Sequence, residues 1–313
     1  MRSPMLGAVL GRFAVLRGIA ADRRARLALG GAAAIVIALV ASAAAPETWF
    51  VWAPLVLGVP HVLADLRYLL LGPYRLIALG RGDALLAGGL LATAVVATPV
   101  LGAAVVLGAV LRTPRCRGHA VAAAGALVYA GWASPVLTAY ALLHGHNLVA
   151  LGMLALVGRQ RGVACGFAGG AFAVVALVLT GALDPILPMA ALGRLSGYVL
   201  PDAALAAWPA AHCAHIALSF LFLQGVHYAT WLRLIPAAAR PHGGLRGFGA
   251  SLRALERDCT APVIAIVVGL ALALPVLALT GDPAALRDRY VQLAGGHAYL
   301  ELAVVMRWLA ARR

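Results

Sequence analysis

The chain has 313 residues, 63% hydrophobic and 12% charged, with a mean hydropathy of +0.93, a balance that excludes a soluble domain and fits a protein embedded in hydrocarbon. The formal charge of +14 comes from arginines gathered at the ends of apolar runs, which marks cytoplasmic loops rather than a nucleic-acid surface. All 25 basic residues are arginine, so a retinal Schiff base, a pyridoxal phosphate aldimine and a P-loop, each of which needs a lysine amine, are excluded.

The first 26 residues carry Arg2, Arg12, Arg17, Arg23, Arg24 and Arg26 and are expected on the cytoplasmic face. The apolar run that follows is long enough to span and has no convincing processing site before Pro46, so a cleaved signal peptide is not expected. Apolar runs predict spans near 27–45, 49–71, 79–97, 99–112, 120–134, 136–157, 163–182, 204–231, 260–280 and 289–309. The third and fourth form a hairpin broken at Ala97-Thr98-Pro99, because arginines flank the pair on both sides. The fold class expected is therefore an all-α, polytopic transmembrane bundle of about ten spans in one domain, with both termini cytoplasmic. Residues 183–203 read as an outer interfacial segment, and residues 233–259 as a basic cytoplasmic loop containing an amphipathic helix over Gly243–Asp258. Heavy Ala, Gly and Arg usage suggests a GC-rich bacterial genome and hence the bacterial inner membrane.

Seven of the nine histidines fall in the apolar stretches. An imidazole in hydrocarbon needs a partner to offset its desolvation, and a crowd of them points to a shared metal or cofactor. The predicted topology places His61, His144, His146, His212, His215 and His297 on four spans running the same way, all roughly 10 to 18 Å from the outer end. Asp65 and Glu301 follow His61 and His297 by four residues, which keeps each acid on its histidine's helical face. His212 and His215, three apart, can address one centre; His144 and His146, two apart, point to opposite sides of a regular helix. The expected ligand set is His61, Asp65, His144, His146, His212, His215, His297 and Glu301, with His61, His144, His212 and His215 as the catalytic core.

His227 falls some 18 Å beyond His215 and is expected near the cytoplasmic mouth, while His119 and His242 fall in loops. Asn147, Tyr140 and Tyr299 are available to orient imidazoles, and Arg67 reads as an interfacial anchor. The four cysteines have no paired spacing and read as reduced thiols; Cys213 alone lies near candidate chemistry. Imidazole mixed with carboxylate suits iron, zinc or manganese better than copper(I), and more than four candidate ligands at one depth point to iron, mononuclear or bridged dinuclear, ahead of zinc or manganese.

The segment Gly58-Val59-Pro60-His61-Val62-Leu63-Ala64-Asp65 reads G-x-P-H-x-x-x-D and resembles the histidine motif of the Brp/Blh family of membrane β-carotene dioxygenases. The resemblance implies an iron ligand at His61 and O₂-dependent cleavage of a polyene such as a carotenoid, giving retinal. Val62 stands where the family has glycine, and Leu66 where a histidine often follows the aspartate. The expected function is thus a histidine-rich non-haem iron oxygenase acting on a lipophilic substrate and O₂, in contact with membrane lipid and without nucleic acid. An ion- or proton-coupled transporter and a haem-binding electron carrier are the alternatives, since both also use intramembrane histidines.

Overall fold

The structure, a computed structural model, describes residues 18–19, 21–71, 83–96, 98–113, 118–157, 160–239 and 248–311. Among these residues all regular structure is helical. The helices are α1 (Arg23–Ala44), α2 (Pro46–Leu66), α3 (Asp83–Val96), α4 (Pro99–Leu111), α5 (Gly118–Ala133), α6 (Pro135–Val157) and α7 (Arg161–Leu179). They continue with α8 (Met189–Val199), α9 (Asp202–Ala207), α10 (Ala210–Ala229), α11 (Ile235–Ala238), α12 (Phe248–Asp258), α13 (Ala261–Thr280) and α14 (Pro283–Ala311).

A helix lies over each predicted apolar run, and five segments are long and apolar enough to cross a membrane: Arg23–Ala44, Pro46–Leu70, Pro135–Leu156, Arg161–Leu179 and Ala261–Thr280. Their outer faces are apolar: Ile266, Leu272 and Leu279 on α13, and Val36, Ile37 and Val40 on α1, are exposed. Large aliphatic side chains turned outward along whole helices are the surface a bilayer requires. The predicted segment 183–203 is a short 3₁₀ turn at Asp184–Ile186 followed by α8, and the amphipathic helix appears as α12. The N-terminal arginines up to Arg17, together with Cys116 and His242, lie outside the described residues.

Prolines set the helix starts. Pro46, Pro99, Pro135 and Pro283 each occupy the first helical position, where a missing N–H costs nothing and the fixed φ favours the turn, and α10 follows Pro209 directly. Asp282 completes the start of α14 by accepting the Ala284 and Ala285 N–H groups at 2.9 and 3.1 Å. At the centre stands α10, buried at every residue from Ala217 to Tyr228. Trp49 Nε1 donates to the Leu221 carbonyl at 3.3 Å, fixing α2 against it.

The contacts between helices rise in step. Trp49 meets Leu221 and His61 meets His227 between α2 and α10; Phe50 meets Arg287 and His61 meets His297 between α2 and α14; His144 meets Phe220 and His146 meets His227 between α6 and α10. So α2, α6, α10 and α14 run parallel. Two of them leave the site through a π-helical turn, Arg67–Leu71 after α2 and Thr230–Leu234 after α10. Such turns are uncommon and recur beside functional residues.

Candidate metal centre

The parallel helices bring His61, His146, His227 and His297 together, one imidazole from each. His61, His227 and His297 offer nitrogen atoms all within 4.8 Å of one another, a triad that could hold a metal ion. The His146 ring centroid is 4.8 Å from that of His227 and 5.5 Å from that of His297. Asp65 and Glu301 lie immediately below, each 0% exposed. Asp65 Oδ2 is 3.5 Å from His61 Nε2, and Glu301 Oε1 is 3.9 Å from His227 Nε2.

Local helix geometry fixes the ring orientations. Side chains on a helix lean toward its N-terminus, so a histidine can reach the carbonyl three residues back. His61 Nδ1–H donates to Gly58 at 2.8 Å, His146 Nδ1–H donates to Leu143 at 3.1 Å, and His297 Nδ1–H donates to Ala294. A carbonyl only accepts, so these bonds assign the proton to Nδ1 and leave Nε2 as a lone pair. This is the backbone-oriented imidazole typical of a metal ligand.

The remaining polar atoms fit a cation. His61 Nε2 and His227 Nε2 stand 3.1 Å apart. Two imidazole nitrogens on one ion, each about 2.0–2.1 Å from it, are separated by about 2.9–3.4 Å for angles near 90–110°. Both oxygens of Asp65, both of Glu301 and His297 Nε2 are buried without a hydrogen-bond partner. Buried polar atoms are nearly always paired, and a buried carboxylate without a cation is very costly. Two such carboxylates beneath converging lone pairs make a donor set that a metal ion satisfies.

Five of the predicted ligands are therefore in this cluster: His61, Asp65, His146, His297 and Glu301. Three are not. His144 turns to the other side of α6, where its Nε2 meets the Val199 carbonyl at 2.9 Å and its ring packs on Phe220. His215 pairs through Nε2 with Asp184 Oδ1 at 2.7 Å, and His212 is exposed with its ring centroid 6.1 Å from that of His215. The expected depth was wrong for α10 because its helix begins at Ala210, not near 204, and α8 packs beside its first half. His227, expected near the mouth, is consequently level with His61 and His297. Pro209 was the signal that could have found it, since a helix counted from there carries its first two histidines close to the end.

Among the other predicted residues, Asn147 and Tyr299 line the adjoining cavity. Arg67 forms a two-nitrogen ion pair with Asp258 Oδ2 at 2.7 and 3.0 Å, tying the end of α2 to the end of α12. His119 is the second residue of α5 rather than a loop residue, and is exposed. Cys165, Cys213 and Cys259 are free thiols, and Cys213 Sγ faces the Trp208 carbonyl at 4.0 Å, away from the cluster.

A cavity of about 220 Å³ adjoins the cluster, lined by the four histidines and by Tyr228, Tyr290, Gln224 and Arg287. Ala139 on α6 and Gln292 on α14, both exposed, are among its lining residues. Gly58 admits Tyr290: a methyl group there would overlap the Tyr290 ring and hydroxyl. The Tyr228 ring meets His61 edge-on at 5.0 Å. Compared with family models, curated proteins and solved structures, the chain matches none.

Proposed function

We propose that the chain is a membrane-embedded, histidine-coordinated iron oxygenase that acts on a lipophilic substrate, similar in chemistry to the Brp/Blh family its G-x-P-H-x-x-x-D segment resembles. The observation that carries this reading is the convergence of four imidazoles from four helices above two fully buried carboxyl groups, beside a cavity. His61, His227 and His297 would hold the ion with His146 as a fourth nitrogen; Asp65 and Glu301 would offset its charge or bridge a second ion. Iron bound there would supply the O₂ chemistry that the side chains lack. The residues do the rest: the Nδ1–H bonds to Gly58, Leu143 and Ala294 hold the rings in position. Leu142, Leu143 and Val291 give the cavity wall apolar surface suited to a lipophilic substrate.

In this reading the ten helices over the predicted runs are ten spans, both termini face the cytoplasm, and the membrane is a bacterial inner membrane. The reaction class is dioxygenative cleavage of a carbon–carbon double bond. Both atoms of O₂ end in the two carbonyl products, so no external reductant is required. A carotenoid is one substrate of the right class. A haem carrier is less well supported, because the 3.1 Å spacing of His61 and His227 leaves no room for a porphyrin between them.

The test is O₂ uptake by detergent-purified protein loaded anaerobically with Fe(II) and supplied with β-carotene or other unsaturated lipids. Uptake coupled to aldehyde formation supports the proposal. Iron-loaded protein that consumes no O₂ with any of them contradicts it, and cation flux into proteoliposomes would then favour the transporter.

A further inference from the structure

The histidines account for one end of the cavity and leave the other without a role. Arg287 lines the same cavity ten residues before His297 on α14, about 15 Å along the helix axis. An arginine serving as a membrane anchor extends its head group to water, but Arg287 is 7% exposed. Its guanidinium carbon lies 3.8 Å from the centroid of the Phe50 ring, Nη1 donates to Asp288 at 2.7 Å, and Nε has no acceptor.

Two more groups of the cavity wall are unpaired: the buried Tyr290 hydroxyl and Gln224 Oε1, whose own Nε2 donates to the Tyr228 hydroxyl at 3.4 Å. A pure hydrocarbon seated here would bury these groups against carbon. A carboxylate would relieve the Arg287 donor, because it only accepts and a guanidinium is a donor suited to it.

From this we infer that Arg287 binds the carboxylate end of an amphiphilic substrate, an unsaturated chain ending in an acid group, whose body runs past Tyr290 toward the histidines. The inference deepens the proposed function and takes its metal centre as the reacting end, but acid binding at Arg287 requires no metal. The Phe50 face holds the guanidinium in place, and Tyr290, between Arg287 and His297 on the same stripe of α14, marks the direction of the chain.

The experiment is a displacement titration of a fluorescent fatty acid from the full-length protein in neutral detergent, with oleate, methyl oleate and dioleoyl phosphatidate as competitors, in metal-free and metal-loaded samples. Oleate is expected to bind at least tenfold more tightly than its methyl ester in both samples. Arg287→Gln should remove that preference while leaving metal stoichiometry unchanged, and Arg287→Lys should retain part of it. Equal affinity for acid and ester overturns the inference, as does tighter binding of phosphatidate than oleate, which would assign the arginine to a phospholipid head group. Should Arg287→Gln fail to fold, the acid and ester comparison on the unaltered protein decides alone. If the protein takes up no metal yet still prefers the acid, the metal reading fails and this one stands.

Discussion

Two groups of histidines lie along α10, and their surroundings differ. Near its start, His215 meets Asp184 at 2.7 Å; Asp184 is 39% exposed, and His212 beside them is exposed to the surroundings. That group has its acid paired with an imidazole, although His215 Nδ1 is left without a hydrogen-bond partner. Three to four turns further on, His227 faces His61 nitrogen to nitrogen, above Asp65 and Glu301, whose fully buried carboxyl groups come no nearer to an imidazole than 3.5 and 3.9 Å. The residue types are the same, but here charge and lone pairs are confined without compensation. A histidine beside an acid is thus a weak sign of a metal; unsatisfied acids sealed beneath several imidazoles are a strong one.

The contrast can be broken by substitution. His61→Ala or His297→Ala should reduce bound metal to background, whereas His215→Ala should leave it unchanged, as read by elemental analysis of purified protein; metal loss from all three would erase the distinction. Asp65→Asn and Glu301→Gln keep shape and remove charge, and each should weaken metal binding by about 10- to 100-fold in a chelator competition. An unaltered affinity in both would leave the buried acids without the role given them. Gly58→Ala would push Tyr290 away from α2 and should destabilise the protein by about 1–3 kcal/mol in thermal unfolding, with metal still bound. The smallest effect belongs to the outer pair: Asp184→Asn should change stability by about 1 kcal/mol or less, since Asp184 itself is partly exposed to solvent. A large loss there would mean that the outer group is the more critical one.

Much of this was legible in the residues. Apolar runs located the helices, the H-x-x-x-acid spacing found His61 with Asp65 and His297 with Glu301, and one of the His144 and His146 pair was bound to face inward. The helix starts decided what remained. Counted from Pro46, Ala210 and Pro283, His61, His227 and His297 lie 15, 17 and 14 residues in, about 21–26 Å. His212 and His215 lie two and five residues in, about 3–8 Å. Hydropathy alone placed the start of α10 too early, because the short helix Asp202–Ala207 before Trp208-Pro209 is itself apolar. The π-helical turns and the side chains around Arg287 arise from packing between helices, and no local pattern announces them.

The account rests on a centre of one or two metal ions held by imidazoles from α2, α6, α10 and α14. X-ray absorption of the purified, unaltered protein tests it most directly. The expected result is one or two equivalents of metal in a shell of nitrogen and oxygen, with the multiple-scattering signature of several imidazoles, lost in His227→Ala and kept in His215→Ala. Protein that holds no stoichiometric metal after anaerobic loading, or a signal that disappears with His215 instead of His227, would contradict it.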